Sequence, residues 1–452
     1  MSSNRMGYLP NETPPLFQNI LLGFQHVLTM FPATLFVAAF TGFHVGTVLL
    51  ASGVSTIVAL LLSKQSIGKF IPLFYGSSFS YIAAYLAIVV QMTGGMPAFG
   101  VPVPDEVLSV LQAGIVVTGL LNIVVGFIIR SVGKDAVDRV LPPIITGSVA
   151  AIIGFGLAFA ALDLAGANWT VAITTLLLTV LFSVYLQGKG FIGMLPVLLG
   201  GVAGYIISSF IDPGSVSLAG ATAAPWFEMP HITFPSFSGP LVGSAVFSIA
   251  IMAIATIPES TAHLYQISLY VDRFAEEEGK EKYELDKHVG FNLILDGIGD
   301  FINGLFGATA GTNYGENNSL MAITRNYSGP ALISAGVISI LLAFVGKLAA
   351  VVSSVPLAVS GGLAIYLFGV IGMQGIALMQ EHKVSMFDPR NLAIGAIIMV
   401  LGIGGNIGFE GGFLPIPIFQ GTFPNGLPAI ATAAVMGILV NVIFLIFKAP
   451  ES

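Results

Sequence analysis

Long apolar segments follow one another along almost the whole chain, and they leave too little polar surface for a soluble fold. Charged residues make up 9% of the 452 residues and hydrophobic residues 55%, whereas a soluble domain carries about 25% charged residues. This balance excludes a water-soluble enzyme, a nucleic-acid-binding protein and a disordered chain. The chain is therefore predicted to cross a membrane many times.

The apolar segments divide into fourteen predicted spans, since each crossing helix needs roughly 20 mostly apolar residues. All are predicted to be helical, because lipid offers no partner to backbone N–H and C=O groups. They also lack the alternating pattern of a membrane β-barrel. Spans 1 to 14 are predicted at residues 17–41, 44–63, 71–92, 107–129, 140–162, 169–186, 190–211, 240–270, 289–306, 309–324, 329–352, 356–379, 391–407 and 427–447.

The positions of the charged residues predict which ends of the spans face the cytoplasm. Fifteen of the sixteen Lys and Arg residues fall in connections on one side, and the remaining one, Lys347, falls inside span 11. The positive-inside rule then predicts a multi-pass protein of the plasma (inner) membrane with cytoplasmic N- and C-termini. No cleavable signal peptide is expected, because the first sixteen residues are polar and contain prolines. The opposite connections carry no Lys or Arg, and their acidic residues are Asp105, Glu106, Asp163, Asp212, Glu228 and Glu410.

Seven spans on either side of the connection 212–239 give the two halves opposite membrane orientations, which is the inverted-repeat layout of many transporters. A weak internal sequence similarity supports this layout. Span 5 begins with residues 142–147 (PPIITG) and span 12 with residues 356–361 (PLAVSG), so proline, a small hydroxyl residue and glycine keep the same spacing. Chance similarity between two apolar helices is the alternative.

The third span of each half is interrupted by polar and glycine-rich residues. Span 3 contains residues 75–81 (YGSSFSY), and span 10 contains residues 311–319 (GTNYGENNS). Non-helical backbone at membrane depth persists only where it is buried in protein or lines a cavity. A half-helix that starts there directs free N–H groups and its positive dipole end at the site. We expect a solute site between these spans; two kinked, closely packed helices are the alternative.

Ionisable residues inside the spans are the candidates for function, because each costs at least ~2.5 kcal/mol at the bilayer centre. Glu259 lies in span 8 and Glu316 in span 10. His263 follows Glu259 by four residues, on the same helix face. Structural hydrogen bonding is the alternative role for these three residues.

The other intramembrane groups have a stronger structural alternative. Asp296 and Asp300 in span 9 either take part in coupling or hold the connection between spans 9 and 10. His26 in span 1 is predicted to be chiefly a structural hydrogen-bonder.

The sequence contains few residues that would support a cofactor site or an enzyme active site. Cysteine is absent, and one Glu-xxx-His pair is a weak version of a zinc motif. Neither a phosphate-binding loop nor a nucleophile–base pair is recognisable. We predict no metal, no cofactor and no enzymatic activity, and transport would be driven by a gradient rather than by ATP.

Several of these stretches resemble the nucleobase–ascorbate transporter family (xanthine/uracil permeases), and within it the bacterial uracil permeases. The resemblance spans nearly the whole chain. It is most specific at residues 313–317 (NYGEN) and 321–325 (MAITR). Further matching stretches are residues 25–26 (QH), 76–79 (GSSF), 259–263 (ESTAH), 345–350 (VGKLAA) and 366–372 (YLFGVIG).

The family signature begins with Glu or Gln followed by Asn, and here it runs from Glu316 to Arg325. Members that resemble uracil carriers have Glu in the first place, whereas purine carriers commonly have Gln. Two departures bear on the solute: Ser319 stands where the signature usually has Gly, and Asp296-Gly297 looks more like the purine members.

The resemblance implies an all-α membrane fold of seven plus seven helices, with short antiparallel strands in spans 3 and 10. A core domain, residues 1–139 and 240–355, would hold the substrate. A gate domain, residues 140–239 and 356–452, would line the other wall and support a homodimer. The implied partners are a nucleobase, protons, membrane lipids and a second copy of the chain, with no nucleic acid.

The predicted function is import of uracil by proton symport, with elevator-like movement of core against gate. Glu259 and Glu316 would accept hydrogen bonds from ring N–H groups. Backbone at Phe79, Tyr314 and Gly315 would donate to the carbonyls, and Phe79 would also pack on the base. Asn317 completes the predicted substrate site.

Glu259 would carry the coupled proton, with His263 orienting or sharing it. One alternative is a xanthine or purine symporter of the same family. Another is an anion channel or exchanger on a similar fold, although carboxylates at both half-sites argue against it.

Overall fold

A computed structural model describes residues 7–133, 139–239, 241–409, 412–419 and 426–447 of the chain. Four charged residues that helped to orient the spans, Arg5, Lys134, Glu410 and Lys448, lie outside these ranges. Four long helices and one strand make up the first quarter of the chain. They are α1 (Leu16–Thr41), α2 (Val45–Ile67), β1 (Tyr75–Ser77), α3 (Ile82–Thr93) and α4 (Asp105–Val132).

The second quarter is helical and ends in a long connection. Predicted span 5 consists of two helices that meet at Leu157, because the helical hydrogen bonding is interrupted there. The elements are α5 (Pro143–Gly156), α6 (Ala158–Gly166), α7 (Trp169–Tyr185), α8 (Pro196–Ile211) and the short α9 (Ala219–Ala223).

The third quarter repeats the motif of a short strand followed by a helix. Predicted span 8 is divided at residues 251–252 and extends beyond its predicted end, to Glu277. The elements are α10 (Val242–Ala250), α11 (Ala253–Glu277), α12 (Val289–Phe306), β2 (Gly311–Asn313), α13 (Gly315–Thr324), α14 (Gly329–Ala343) and α15 (Gly346–Ser353).

The last quarter begins with a long helix and continues in shorter pieces. Predicted span 13 widens into a π-helical turn at Val400–Gly404. The strands of this quarter pair antiparallel. The elements are α16 (Leu357–Glu381), α17 (Pro389–Met399), α18 (Gly405–Gly408), β3 (Phe413–Leu414), β4 (Leu427–Pro428) and α19 (Ala429–Ile446).

Eight helices within the described residues are long and apolar enough to cross a membrane, and four shorter apolar helices accompany them. The chain is thus mostly helical and polytopic, as predicted. The count of fourteen spans remains a prediction, because several predicted spans are divided or shorter than a full crossing.

Predicted span 11, which contains Lys347, is divided into two helices. Helix α14 ends at Ala343, and Lys347 lies in the first turn of the separate helix α15. Its Nζ donates to the carbonyl oxygens of Ala221 and Thr222, each at 3.0 Å, and lies 5.3 Å from the centre of the Trp226 ring. This helix end could not be predicted from the sequence, because apolar residues continue on both sides of it.

The helices pack in two groups. In one group, α4 packs along α12 and α10, and α14 packs along α1 and α2. In the other, α16 packs along α5, α6 and α7, α7 packs on α8, and α17 packs on α19. The interrupted spans pack on this first group, since β1 contacts α1 and α2, β2 contacts α12, and α13 contacts α1.

Paired glycines allow α4 and α12 to approach each other closely. A Cβ on Gly119 would lie 2.6 Å from the carbonyl oxygen of Gly297, and a Cβ on Gly290 would lie 2.7 Å from that of Gly126. Small residues at such crossings let membrane helices pack backbone against backbone. Gly297 is thus a packing position in this chain.

We call the connections α1–α2, α3–α4, α6–α7 and α8–α10 the acidic face. Hydrogen bonds join these connections to one another. His231 contacts Asp105, with Nε2 2.9 Å from Oδ1, and Asn168 donates to Asp212 over 3.4 Å. The opposite set of connections, which carries the Lys and Arg residues, is the basic face.

Candidate functional site

The strands of the two interrupted spans pair with each other at the centre of the first helix group. Strand β1 runs antiparallel to β2, with Tyr75 opposite Asn313 and Ser77 opposite Gly311. Backbone hydrogen bonds from Ser78 N to Ala310 O at 3.0 Å, and from Tyr314 N to Phe74 O at 2.9 Å, extend the pairing beyond both strands. The polar backbone of each break is therefore satisfied by the other.

Two buried carboxylates hold strand β2 in place. Asp300 accepts hydrogen bonds from the Gly311 N–H at 2.6 Å and from Asn122 Nδ2 at 3.1 Å. Asp296 accepts from Asn313 Nδ2 of β2 at 3.5 Å and from the hydroxyl groups of Ser260 and Tyr75. These contacts match the structural alternative for the two aspartates, and a coupling role for Asp296 remains a prediction.

Tyr314 joins β1 to α1. Its hydroxyl donates to the Ser77 carbonyl at 2.8 Å and lies 2.9 Å from Thr34 Oγ1. Its ring fills the space beside Gly76, where an added Cβ would lie 2.5 Å from Cζ. The Tyr314 N–H is already bonded to Phe74, so the expectation that it donates to a bound solute is corrected: strand pairing uses that donor.

Helix α13 begins immediately after this strand pair and exposes its first N–H groups. In an α-helix, the N–H groups of the first turn have no acceptor within the helix. Across the described residues, the N–H groups of Gly315 and Glu316 make no hydrogen bond. The Glu316 side chain is exposed. A carboxylate, two backbone donors and the positive end of a helix dipole thus meet at one point.

Glu259 approaches the same point from helix α11. Ser80 Oγ donates to Glu259 Oε2 at 3.4 Å, which links this carboxylate to the turn after β1. Glu259 is partly buried and lies close enough to Glu316 for their charges to repel each other. The structure thus brings together the two acids that the sequence singled out.

His263 contacts the end of strand β2. Its Nδ1 lies 2.8 Å from the carbonyl oxygen and 2.9 Å from Oδ1 of Asn313, so Nδ1 carries the proton. Its ring lies against Gly315, where a Cβ would come within 2.8 Å of Nε2. Among the described residues, no hydrogen bond joins His263 to Glu259. The histidine therefore positions the start of α13.

Asn317 and His26 form a buried contact between α13 and α1. Asn317 Nδ2 lies 3.1 Å from both Nδ1 and the carbonyl oxygen of His26. The amide nitrogen of Asn317 is thus engaged by the protein, and His26 acts as a hydrogen-bonding partner, in line with its predicted structural role.

Phe79 belongs to a cluster of phenylalanines that the sequence did not indicate. Its ring stacks on Phe36 at 6.2 Å and meets Phe368 edge-on at 6.4 Å, measured between ring centres. Phe40 packs on both Phe36 and Phe368. We call Phe36, Phe40, Phe79 and Phe368 the aromatic seal. It joins α1 to α16, on the acidic-face side of the strands.

Comparison with known proteins places this architecture. A family model described as a permease family matches residues 17–411. The uracil permease of Bacillus caldolyticus is 34% identical over 444 residues, which cover 96% of this chain and 93% of that protein. The uracil permease of Escherichia coli K12 is 34% identical over 412 residues, 88% of each chain.

A solved structure extends the comparison to the fold. The transmembrane domain of the cyanobacterial bicarbonate transporter BicA superposes with a TM-score of 0.60 and 16% sequence identity, covering 88% of this chain and 98% of that one. At this identity the likeness concerns the fold alone, which is that of a membrane transporter.

Proposed function

The chain belongs to the xanthine/uracil permease family, and we propose that it is a nucleobase permease that imports uracil together with protons. Membership of this family makes it a multi-pass membrane transporter and not an enzyme. The observation that carries the proposal is that Glu316 stands in the first turn of α13, while Glu259, hydrogen-bonded to Ser80 after β1, lies near enough for the two charges to interact. The names of the uracil permeases that resemble this chain along most of its length support the choice of solute.

The recognition chemistry follows from the edge of the uracil ring, where carbonyl acceptors alternate with N–H donors. Carboxylates at Glu259 and Glu316 would accept from the ring N–H groups. The free N–H of Gly315 and the backbone of Phe79 would donate to the carbonyls. The ring of Phe79 offers a face on which a flat heterocycle stacks.

Proton coupling follows from the proximity of the two acids. A site that holds two negative charges close together gains from binding one proton, because that removes their mutual repulsion. We propose that Glu259 takes up this proton, with Ser80 as its hydrogen-bond donor. His263 would act indirectly, by holding Asn313 and the start of α13. Glu316 would stay ionised to bind the solute.

Alternating access would come from movement of a core domain against a gate domain. The proposed core, residues 1–139 and 240–355, corresponds to the first helix group, and the proposed gate, residues 140–239 and 356–452, to the second. Between them, the aromatic seal would have to part to admit solute from the acidic face. Homodimer formation through the gate is part of the proposal.

The pairing of helices supports an inverted repeat of seven spans. Each span can be replaced by the span seven positions further along, with span 1 following span 14. The α2–α14 contact then becomes the α12–α4 contact, and the α1–α14 contact becomes α10–α4. The same replacement converts the α7–α8 contact into α17–α19, and it leaves the β1–β2 pair unchanged. With cytoplasmic termini, as the positive-inside rule predicts, the acidic face would be the outer one.

Uptake into proteoliposomes tests the proposal. Labelled uracil should accumulate above its external concentration when the outside is acidic, and a protonophore should abolish the accumulation. Unlabelled xanthine and uric acid should compete weakly. Stronger competition by xanthine would instead identify a purine symporter, as the Asp296-Gly297 pair alone would suggest. Bicarbonate-driven exchange without a response to protons would identify an anion exchanger.

A further inference from the structure

Three potential metal ligands meet on the acidic face, and none of them belongs to the proposed solute site. They are His44 in the α1–α2 connection, Asp105 at the start of α4 and His231 in the α8–α10 connection. One ligand atom of each lies within 4.8 Å of those of the other two. His231 Nε2 is 2.9 Å from Oδ1 and 3.1 Å from Oδ2 of Asp105. The rings of His44 and His231 are 4.3 Å apart between centres.

The spacing suits a single small metal ion. Nitrogen and oxygen ligands lie about 2.0–2.2 Å from Zn²⁺, so two ligands of one tetrahedral ion are roughly 3.3–3.6 Å apart. The separation of His231 and Asp105 is already close to this range. The ligand atom of His44 lies within 4.8 Å of the other two, so a displacement of about 1 Å by its side chain would complete three ligands. Two imidazoles and one carboxylate are typical of zinc and neighbouring transition metals, and not of Ca²⁺ or Mg²⁺.

The backbone that carries the ligands is held by the surrounding helices. Thr47 Oγ1 donates to the carbonyl oxygen of His231. Two residues further on, Thr233 exchanges hydrogen bonds with Gln112 of α4, at 2.8 and 2.7 Å. Val103 N donates to Gly42 O at 2.8 Å, which ties the segment before Asp105 to the segment before His44. Fixed segments present their ligands with little ordering cost on metal binding.

The local charge also favours a cation. The acidic face carries Glu106 beside Asp105, and its connections contain no Lys or Arg. Lys347 lies beside one of these connections, but its Nζ donates hydrogen bonds to two carbonyl oxygens of the α8–α10 connection. A surface ion pair explains why Asp105 and His231 lie together, but it does not explain why the His44 ring packs against that of His231.

We propose that His44, Asp105 and His231 bind one divalent transition metal ion of the Zn²⁺ class, with water in the fourth position. The ion would fasten the end of the α8–α10 connection, which joins the two halves of the chain, to α2 and α4. The sequence predicted no metal because the ligands are far apart along the chain: Asp105 and His231 are separated by 126 positions. The fold alone brings them together.

Zinc titration of the full-length protein tests this site. Protein purified in detergent and stripped with EDTA should bind one Zn²⁺ per chain in calorimetry, and zinc should raise its thermal unfolding temperature. His44→Ala and His231→Ala should each weaken zinc binding at least ~10-fold. Glu106→Gln, which removes a neighbouring charge but no ligand, is the matched control and should bind zinc like the wild type. In EDTA the two histidine variants should differ from the wild type only by the small loss of an exposed ion pair or ring contact, and adding zinc should not raise their unfolding temperatures as it does for the wild type.

Three outcomes would overturn the site. The first is a wild-type chain that does not bind zinc. The second is a His44→Ala variant with unchanged affinity, which would reduce the cluster to an ion pair. The third is an equal loss in Glu106→Gln, which would indicate a diffuse negative surface. The visible absorption of bound Co²⁺ in the wild type supplies a readout that depends on no variant: a four-coordinate spectrum is expected, and a six-coordinate aquo spectrum contradicts the proposal.

Discussion

The helices after the two interrupted spans begin differently. After β1, Ser78 caps the next turn by accepting a hydrogen bond from Ser80 N at 3.3 Å, and Phe79 enters the aromatic seal. After β2, α13 begins without a side-chain cap, and Glu316 is exposed in its first turn. The first half thus closes its helix start and packs it against helix α16. The second leaves its donors and a carboxylate open, so recognition of a polar solute should depend more on the second half.

The largest effect that this comparison predicts is at Glu316. Glu316→Gln removes the negative charge while keeping the size, and the side chain is exposed, so stability should stay near that of the wild type. Uracil uptake should fall at least ~100-fold, because a hydrogen bond to a charged carboxylate contributes more than one to a neutral amide. Uptake assays with a matched thermal unfolding curve measure both effects. Near-normal uptake would remove Glu316 from the binding site.

The second largest effect concerns coupling at Glu259. Glu259→Gln keeps a hydrogen-bonding partner for Ser80 but cannot exchange a proton. Uracil should still equilibrate across the membrane, but it should no longer accumulate when the outside is acidic. The measurement is the ratio of internal to external uracil as the external pH is varied. Accumulation that still follows the proton gradient would show that the coupled proton is carried elsewhere.

The sequence predicted the features that stand out against an apolar background. The glycine-rich interruptions of spans 3 and 10 and the acids Glu259 and Glu316 were visible, because polar groups are expensive at membrane depth. The aromatic seal was not, because Phe36 and Phe368 look like any other lipid-facing or core residue. Breaks such as the one at Leu157 were also hidden, because apolar residues continue on both sides.

Assignments that depended on pairing could not be made from spacing. The Tyr314 N–H was predicted to serve the solute, yet the register of β1 on β2 directs it to Phe74. Register is set by contacts between segments far apart in the chain. The same holds for His263, whose Nδ1 contacts Asn313 rather than the residue one helical turn away. Side-chain roles within the site therefore required the fold.

A third prediction compares a glycine from each half. In Gly76→Ala the new Cβ would lie 2.5 Å from the ring of Tyr314 and 2.9 Å from Thr34 Oγ1, so the free energy of unfolding should fall by about 1–3 kcal/mol. In Gly315→Ala the neighbour is the His263 ring at 2.8 Å, which can move away from Asn313. Thermal unfolding should be affected more by Gly76→Ala, and the KM for uracil more by Gly315→Ala. The reverse ranking would contradict the division of roles between the halves.

The smallest predicted effect tests the cap that distinguishes the two helix starts. Ser78→Ala leaves the Ser80 N–H without its side-chain acceptor in a buried turn, which should cost about 0.5–2 kcal/mol of unfolding free energy. Ser319→Ala is the matched control in the second half. The Ser319 hydroxyl bonds the carbonyl of Gly315 within an exposed helix turn, so its loss should change stability by less than about 0.5 kcal/mol. Unfolding temperatures of the two variants decide the point: if Ser319→Ala were the more destabilised, the closed and open helix starts would not differ in the way proposed.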